Sequence, residues 1–230
     1  MTNFALVPGA GGSGWYWHRV VPELVARGHR AVGLSLPSGD DTADFPAYVD
    51  ACVEQLTVAG IGDDTLVVVG QSLGGFTAPV LAERLDADRI VLLNAMIPLP
   101  RETPGHWFTT SGAGAARAEL AAAQGRTLGD DIDVIADFFH DVPEDVVSEA
   151  LSQGEPEQSE FIMGCQTPFD AWPAPVRVVS GRDDRFFPFD FQRRIAAERL
   201  GVDVHPVPGG HLAALACPVE VAEALIVDNR

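Results

Sequence analysis

Short apolar runs recur along the chain at 4–7, 30–36, 66–69, 90–94, 176–180 and 202–207. Most are continuous rather than alternating, as expected of strands buried on both faces of a parallel sheet. Between them the apolar spacing becomes helical, at 15–27, 43–59, 76–85, 189–200 and 218–227. Pro22 and Pro218 fall where a first helical turn or a kink tolerates a missing N–H. This alternation predicts one α/β domain, a mostly parallel sheet with right-handed crossovers and helices on both faces.

Residues 98–172 break the rhythm, because no strand pattern occurs there. An alanine-rich helix is expected over 114–124, followed by the pattern Asp131-Ile-Asp-Val-Ile-Ala-Asp-Phe-Phe-His140. A second helix follows, with Pro143 at its start and Glu144-Asp145 in its first turn. The segment reads as a helical cap, or lid, inserted between two central strands. The core is then 1–97 and 173–230, and the whole remains a single domain.

Composition narrows the chemistry. The net charge is −18, from 33 acidic against 15 basic residues, so nucleic acid is not an expected partner. Every basic residue is arginine, and without lysine there is no Schiff base, pyridoxal phosphate anchor or Walker lysine. Cys52, Cys165 and Cys217 are odd in number and widely spaced, which suggests a reducing compartment. The opening Met1-Thr-Asn-Phe-Ala-Leu-Val-Pro8 reads as neither signal peptide nor membrane span. A cytoplasmic location and no membrane partner are the expectations. A homodimer is compatible with the sequence, which leaves the oligomeric state open.

The chemistry centres on Gly70-Gln71-Ser72-Leu73-Gly74. An apolar run leads into this G-x-S-x-G motif and a helical pattern leaves it. On so sharp a strand-to-helix turn the flanking glycines let backbone crowd in, so that the Ser72 hydroxyl can stand clear of the sheet. By chance a chain of this composition would hold roughly 0.1 such motifs, so the strand and helix around it carry the weight. A serine hydroxyl needs a base held by an acid. His211 follows the last strand and the turn Pro208-Gly209-Gly210, on the edge where ligand sites of open α/β sheets lie. The acid should come from Gly181-Arg182-Asp183-Asp184, where either aspartate could serve. The N–H of Leu73, directly after the nucleophile, is one oxyanion donor, and the loop 8–13 should supply the other. That loop fits a dinucleotide fingerprint poorly, and no acid ends the second strand. No cofactor and no metal are expected.

Together these residues resemble the α/β-hydrolase fold, and more narrowly the plant-type methylesterase and hydroxynitrile lyase family with its bacterial relatives. Leu6-Val7-Pro8-Gly9-Ala10 through Gly14-Trp15-Tyr16-Trp17 resembles the family's H-G-A…G-x-W-x-W opening. The region from Asp184 through Phe191-Gln192-Arg193 to Gly210-His211, then Cys217-Pro218, resembles its acid-to-histidine segment. The resemblance implies that Asp184, three residues past Gly181, is the acid and that Ala10 is the second oxyanion donor. The order Ser72, Asp184, His211 is typical of such hydrolases. Pro8 and Gln71 replace common histidines. The lyases of this family use a threonine where Gly9 stands and a lysine where Leu212 stands.

The expected activity is therefore a cofactor-free serine esterase acting on a small apolar ester. Alternatives are a ligand-binding receptor on the same scaffold, or a triad-dependent lyase, thioesterase or lactonase of secondary metabolism. Among the aromatics of the cap, Trp107, Phe139 and Phe161 are the candidate substrate contacts. His140 is expected at a helix end, and Trp15 and Trp17 as anchors of the first helix.

Overall fold

A computed structural model describes residues 1–61, 65–129, 131–154 and 156–227. Strand β1 (Asn3–Val7) leads through a 3-10 turn (Gly14–Trp17) into α1 (Val20–Ala26), β2 (Arg30–Gly33) and α2 (Phe45–Val58). There follow β3 (Leu66–Gln71), α3 (Gly74–Leu85) and β4 (Arg89–Leu93). Then come α4 (Pro104–Thr110), α5 (Ala113–Ala123), α6 (Val134–Asp137), α7 (Glu144–Ser152) and α8 (Phe161–Gly164). The chain closes with β5 (Val176–Gly181), α9 (Phe189–Leu200), β6 (Val204–Val207), α10 (Ala213–Ala216) and α11 (Pro218–Ile226).

The strands form one sheet in the order β2-β1-β3-β4-β5-β6, and every neighbouring pair is parallel. The four central strands are almost wholly buried, whereas edge strands β2 and β6 are mostly half-exposed. That is why the central runs are apolar without alternation. Successive side chains still part to opposite faces. Ala5, Val7, Val68 and Leu92 pack with α2, α3 and α9, while Phe4, Leu6, Val69 and Leu93 pack with α1 and α11. The segment between β4 and β5 joins both clusters. Trp107 and Ile162 enter the first, and Val142 and Val146 the second.

Several elements differ from the sequence reading. The helix expected over 15–27 is split, because Ser13 caps the 3-10 turn through its hydroxyl and α1 starts only at Val20. Strand β2 stops at Gly33, where Ser35 N–H turns to Gln55 Oε1 and Leu36 N–H to Gly12 O. The 131–140 pattern yields a single helical turn, α6, capped by Asp133. Pro143 precedes α7 as its cap residue. Three helices have no counterpart in the sequence reading: α4, started by Thr103 and Pro104, and the one-turn α8 and α10. No helix among the described residues is long and apolar enough to cross a membrane.

The parallel register gathers the carboxyl ends. Val7 lies beside Gly70, Gln71 beside Leu93 and Gly181 beside Val207. The loops that follow these strands therefore open on one edge. There the strand order reverses between β1 and β3, as at the ligand crevices of open α/β sheets.

Candidate active site

Ser72 occupies the turn between β3 and α3 with φ 50°, the left-handed region that a Cβ resists at a cost of about 1–2 kcal/mol. Backbone packing holds it there. The Ser72 carbonyl accepts from Gly75 N–H at 3.1 Å and from Met96 N–H, beyond β4, at 2.9 Å. Gly74 lies so close to the chain after β1 that a Cβ would strike the Pro8 carbonyl oxygen. The motif glycine thus lets the nucleophile turn and the first loop share one space.

His211 Nε2 lies 3.0 Å from Ser72 Oγ, and its Nδ1 lies 2.9 Å from Asp184 Oδ2. The other Asp184 oxygen accepts the N–H groups of Phe186 and Phe187, each at 2.8 Å. A carboxylate only accepts, so Nδ1 carries the ring proton and Nε2 is free to accept from the serine hydroxyl. Asp184 is 1% exposed and His211 2%, whereas Ser72 is half-exposed. Asp183, the other candidate acid, points to solvent. Water therefore reaches the hydroxyl side of the chain and is shut out behind it.

Three rings enclose the imidazole: Phe138, Phe186 and Phe187, with centroids 5.2, 5.1 and 5.2 Å away. Behind them Arg117 stacks over Phe186 at 5.8 Å and pairs with buried Asp137, which also binds Arg126 at 3.2 Å. The backbone of the histidine loop is tied down as well. Asn94, itself left-handed at φ 46°, donates to the carbonyls of Gly210 and His211 at 2.8 and 3.0 Å. Its own oxygen accepts Gly181 N–H at 2.7 Å. Gln71 Nε2 donates to the His211 carbonyl at 3.3 Å.

Neither Ala10 N–H nor Leu73 N–H is taken by an acceptor among the described residues. The two N–H groups that follow Ala10 are committed, Gly11 to Gln158 Oε1 at 3.0 Å and Gly12 to Gly9 O at 3.1 Å. Among the described residues no cluster of three or more His, Cys, Asp and Glu side chains is arranged to hold a metal ion.

The aromatic candidates fare differently. Trp107 is 0% exposed, packs edge-on against Phe187 and Phe191, and donates its indole N–H to Ile97 O. It supports the Phe187 wall and offers no surface of its own. Phe139 packs into the cluster on the other face of the sheet, and its neighbour Phe138 meets the imidazole instead. Consecutive residues of a helical turn diverge by about 100°, so the two rings face different ways. Phe161 is 47% exposed on α8 and shows no ring contact with the histidine. His140 does not serve a helix end; its Nε2 binds Asp183 O. Trp15 reaches across to Glu149 on α7.

Sequence reasoning did not single out Asn94, Phe186 or Phe187. Their signals are an asparagine closing a buried strand and an apolar pair directly after the acid in a polar loop.

The sequence profile of the Alpha/beta hydrolase family matches residues 4–224. A protein of Oryza sativa subsp. indica named probable esterase PIR7A is 33% identical over 106 residues, 42% of this chain and 40% of its own length. Methylesterase 2 of Arabidopsis thaliana is 32% identical over 112 residues, 44% of this chain and 42% of its own. The aligned stretch thus spans about two-fifths of these curated relatives. Among solved structures, polyneuridine aldehyde esterase superposes with TM-score 0.77 at 20% identity, over 98% of both chains. A pyrethroid hydrolase from Sphingobium faniae JZ-2 superposes with TM-score 0.71 at 22% identity, over 97% of this chain and 95% of its own. At such identities the likeness shows the fold alone. With its parallel sheet and a profile match over nearly its whole length, the chain belongs to the alpha/beta hydrolase family.

Proposed function

We propose that the protein is a serine hydrolase that cleaves carboxylic esters of small, apolar molecules. The observation that carries this reading is the unbroken chain Ser72 Oγ, His211, Asp184, with bonds of 3.0 and 2.9 Å, beside two unclaimed N–H groups. His211 takes the hydroxyl proton as Ser72 attacks the ester carbonyl. Ala10 and Leu73 N–H receive the oxyanion, and His211 returns the proton to the departing alcohol. Water, activated by the same imidazole, then releases the acid. Asp184 fixes the tautomer throughout and steadies the imidazolium.

Residues 98–172 act as a cap over this edge, with Phe138 as its contribution beside the imidazole. The Phe138, Phe186 and Phe187 rings favour an apolar substrate. Names of relatives, esterase and methylesterase among them, are in keeping with ester cleavage. A cytoplasmic setting accords with three unpaired cysteines.

Cyanohydrin cleavage fits worse. A Cβ at Gly9 would lie 2.5 Å from Gln71 Oε1 and 2.7 Å from Ser72 Cβ, so the threonine of the lyases finds no room, and Leu212 brings no charge.

Hydrolysis of short p-nitrophenyl esters tests the proposal. Ser72→Ala is expected to lower kcat by roughly 10⁴-fold or more. Equal rates in the two proteins would remove it.

A further inference from the structure

Gly210, the residue before the proposed base, is gripped from two directions. Asn94 takes its carbonyl on the sheet side. On the other side its N–H donates to Asp141 Oδ2 at 2.6 Å, a carboxylate carried by the helical insertion. The adjoining His140 donates from Nε2 to Asp183 O at 3.1 Å, on the loop that bears the acid of the triad. Asp183 N–H in turn donates to Gly209 O at 3.0 Å. Two consecutive residues of the insertion thus bind both loops that supply the hydrogen-bonded pair behind Ser72.

The contact is close: a Cβ at position 210 would lie 2.7 Å from His140 Nε2 and 3.0 Å from Asp141 Oδ1, so a larger residue would push these two side chains away. A carbonyl only accepts, so His140 Nε2 carries a proton, while its Nδ1 lies 3.9 Å from Asp141 Oδ1. Among the described residues Asp141 Oδ1 is buried with no hydrogen-bond partner. A buried carboxylate oxygen left without a donor is costly to keep. Its other oxygen holds the peptide from which the imidazole hangs.

We propose that Asp141 is a positioning residue for His211, setting the imidazole against Ser72 through the Gly210 N–H. The inference rests on the hydrolase reading above. Catalysis is sensitive to such placement, since a misplacement of about 1 Å can cost roughly 100-fold.

The test uses the full chain and a fluorophosphonate probe, whose attachment to Ser72 depends on the base and counts competent sites without any ester. Asp141→Ala is expected to lower both the labelling rate constant and kcat per titrated site by roughly 10–100-fold. KM for a short p-nitrophenyl ester should change by less than about threefold, as for loss of a contact that matters in the transition state. Asp141→Asn keeps a carbonyl oxygen for the Gly210 N–H and should recover most of that loss. A purely structural role would reduce the number of titratable sites and leave the rate per site alone. Should Asp141→Ala fail to fold, Asp141→Ser, too short to reach the N–H, carries the same expectation. Rates per site within about twofold of wild type in Ala or Ser, or an Asn variant as slow as Ala, would overturn the proposal. Wild-type protein that labels at Ser72 yet turns over no ester would sink the hydrolase reading instead, and the labelling rates would still judge Asp141.

Discussion

Ser72 and His211 meet at 3.0 Å, yet the molecule holds them by opposite means. The serine is fixed by backbone: a left-handed φ, two N–H groups on its carbonyl, and a neighbouring glycine pressed against the first loop. The histidine is fixed by side chains from separate parts of the chain: Gln71, Asn94, Asp184 and, one residue earlier, Asp141. The contrast follows from the chemical roles proposed for them. A nucleophile has only to project from a rigid turn. A base must hold one tautomer and one orientation while its charge changes, which needs partners on several sides.

The contrast can be broken at its centre. Replacing His211 by Ala should lower kcat by roughly 10⁴-fold or more in steady-state ester hydrolysis, about as much as Ser72→Ala, because the two act as a unit. Asp184→Asn should come next at up to roughly 10⁴-fold, since an amide can present its N–H to Nδ1 and reverse the tautomer. A loss below tenfold would mean that another group orients the imidazole.

Asn94→Ala separates the two kinds of support. It strips the buried Gly210 carbonyl and the Gly181 N–H of their partner and leaves the His211 carbonyl with Gln71 alone, so denaturant unfolding should show about 2–4 kcal/mol less stability. Turnover should fall too, while the backbone around Ser72 stays put. Gly74→Ala tests the other side. Its methyl would press on the Pro8 carbonyl, for which about 1–3 kcal/mol of lost stability is expected, together with displaced oxyanion donors. Unchanged stability there would show that crowding does not hold the turn. Smallest of all should be Gln71→Ala, which removes one long bond of 3.3 Å and should cost about 1 kcal/mol or less.

The same contrast governs how much the sequence reveals. The central strands and α9 lie where their apolar runs put them, because burial on both sheet faces leaves little room for polar residues. The side chains nominated as nucleophile, acid and base are the ones the structure brings into bonded sequence, since each follows a recognisable strand and turn. The helices between β4 and β5 were harder to read. Helix α8 is a single turn without a periodic signal, and α4 begins in a proline-rich stretch where Thr103 and Pro104 were its only markers. Phe138 and Phe139 show the same limit: the single turn α6 just before them gives too little pattern to say which ring meets the imidazole. Asn94 and Asp141 act through backbone groups far off in sequence, and no local spacing encodes such partners.

Gln158 gives that last point a wider consequence. It caps the Gly11 N–H beside the first loop as Asp141 caps that of Gly210, and both belong to the insertion. Exchanging this segment for one from a related enzyme, an obvious route to new selectivity, would strand two amide hydrogens at the rim. A useful graft would first have to bring an acceptor for each, so the segment and the scaffold beneath it are best evolved as a matched pair.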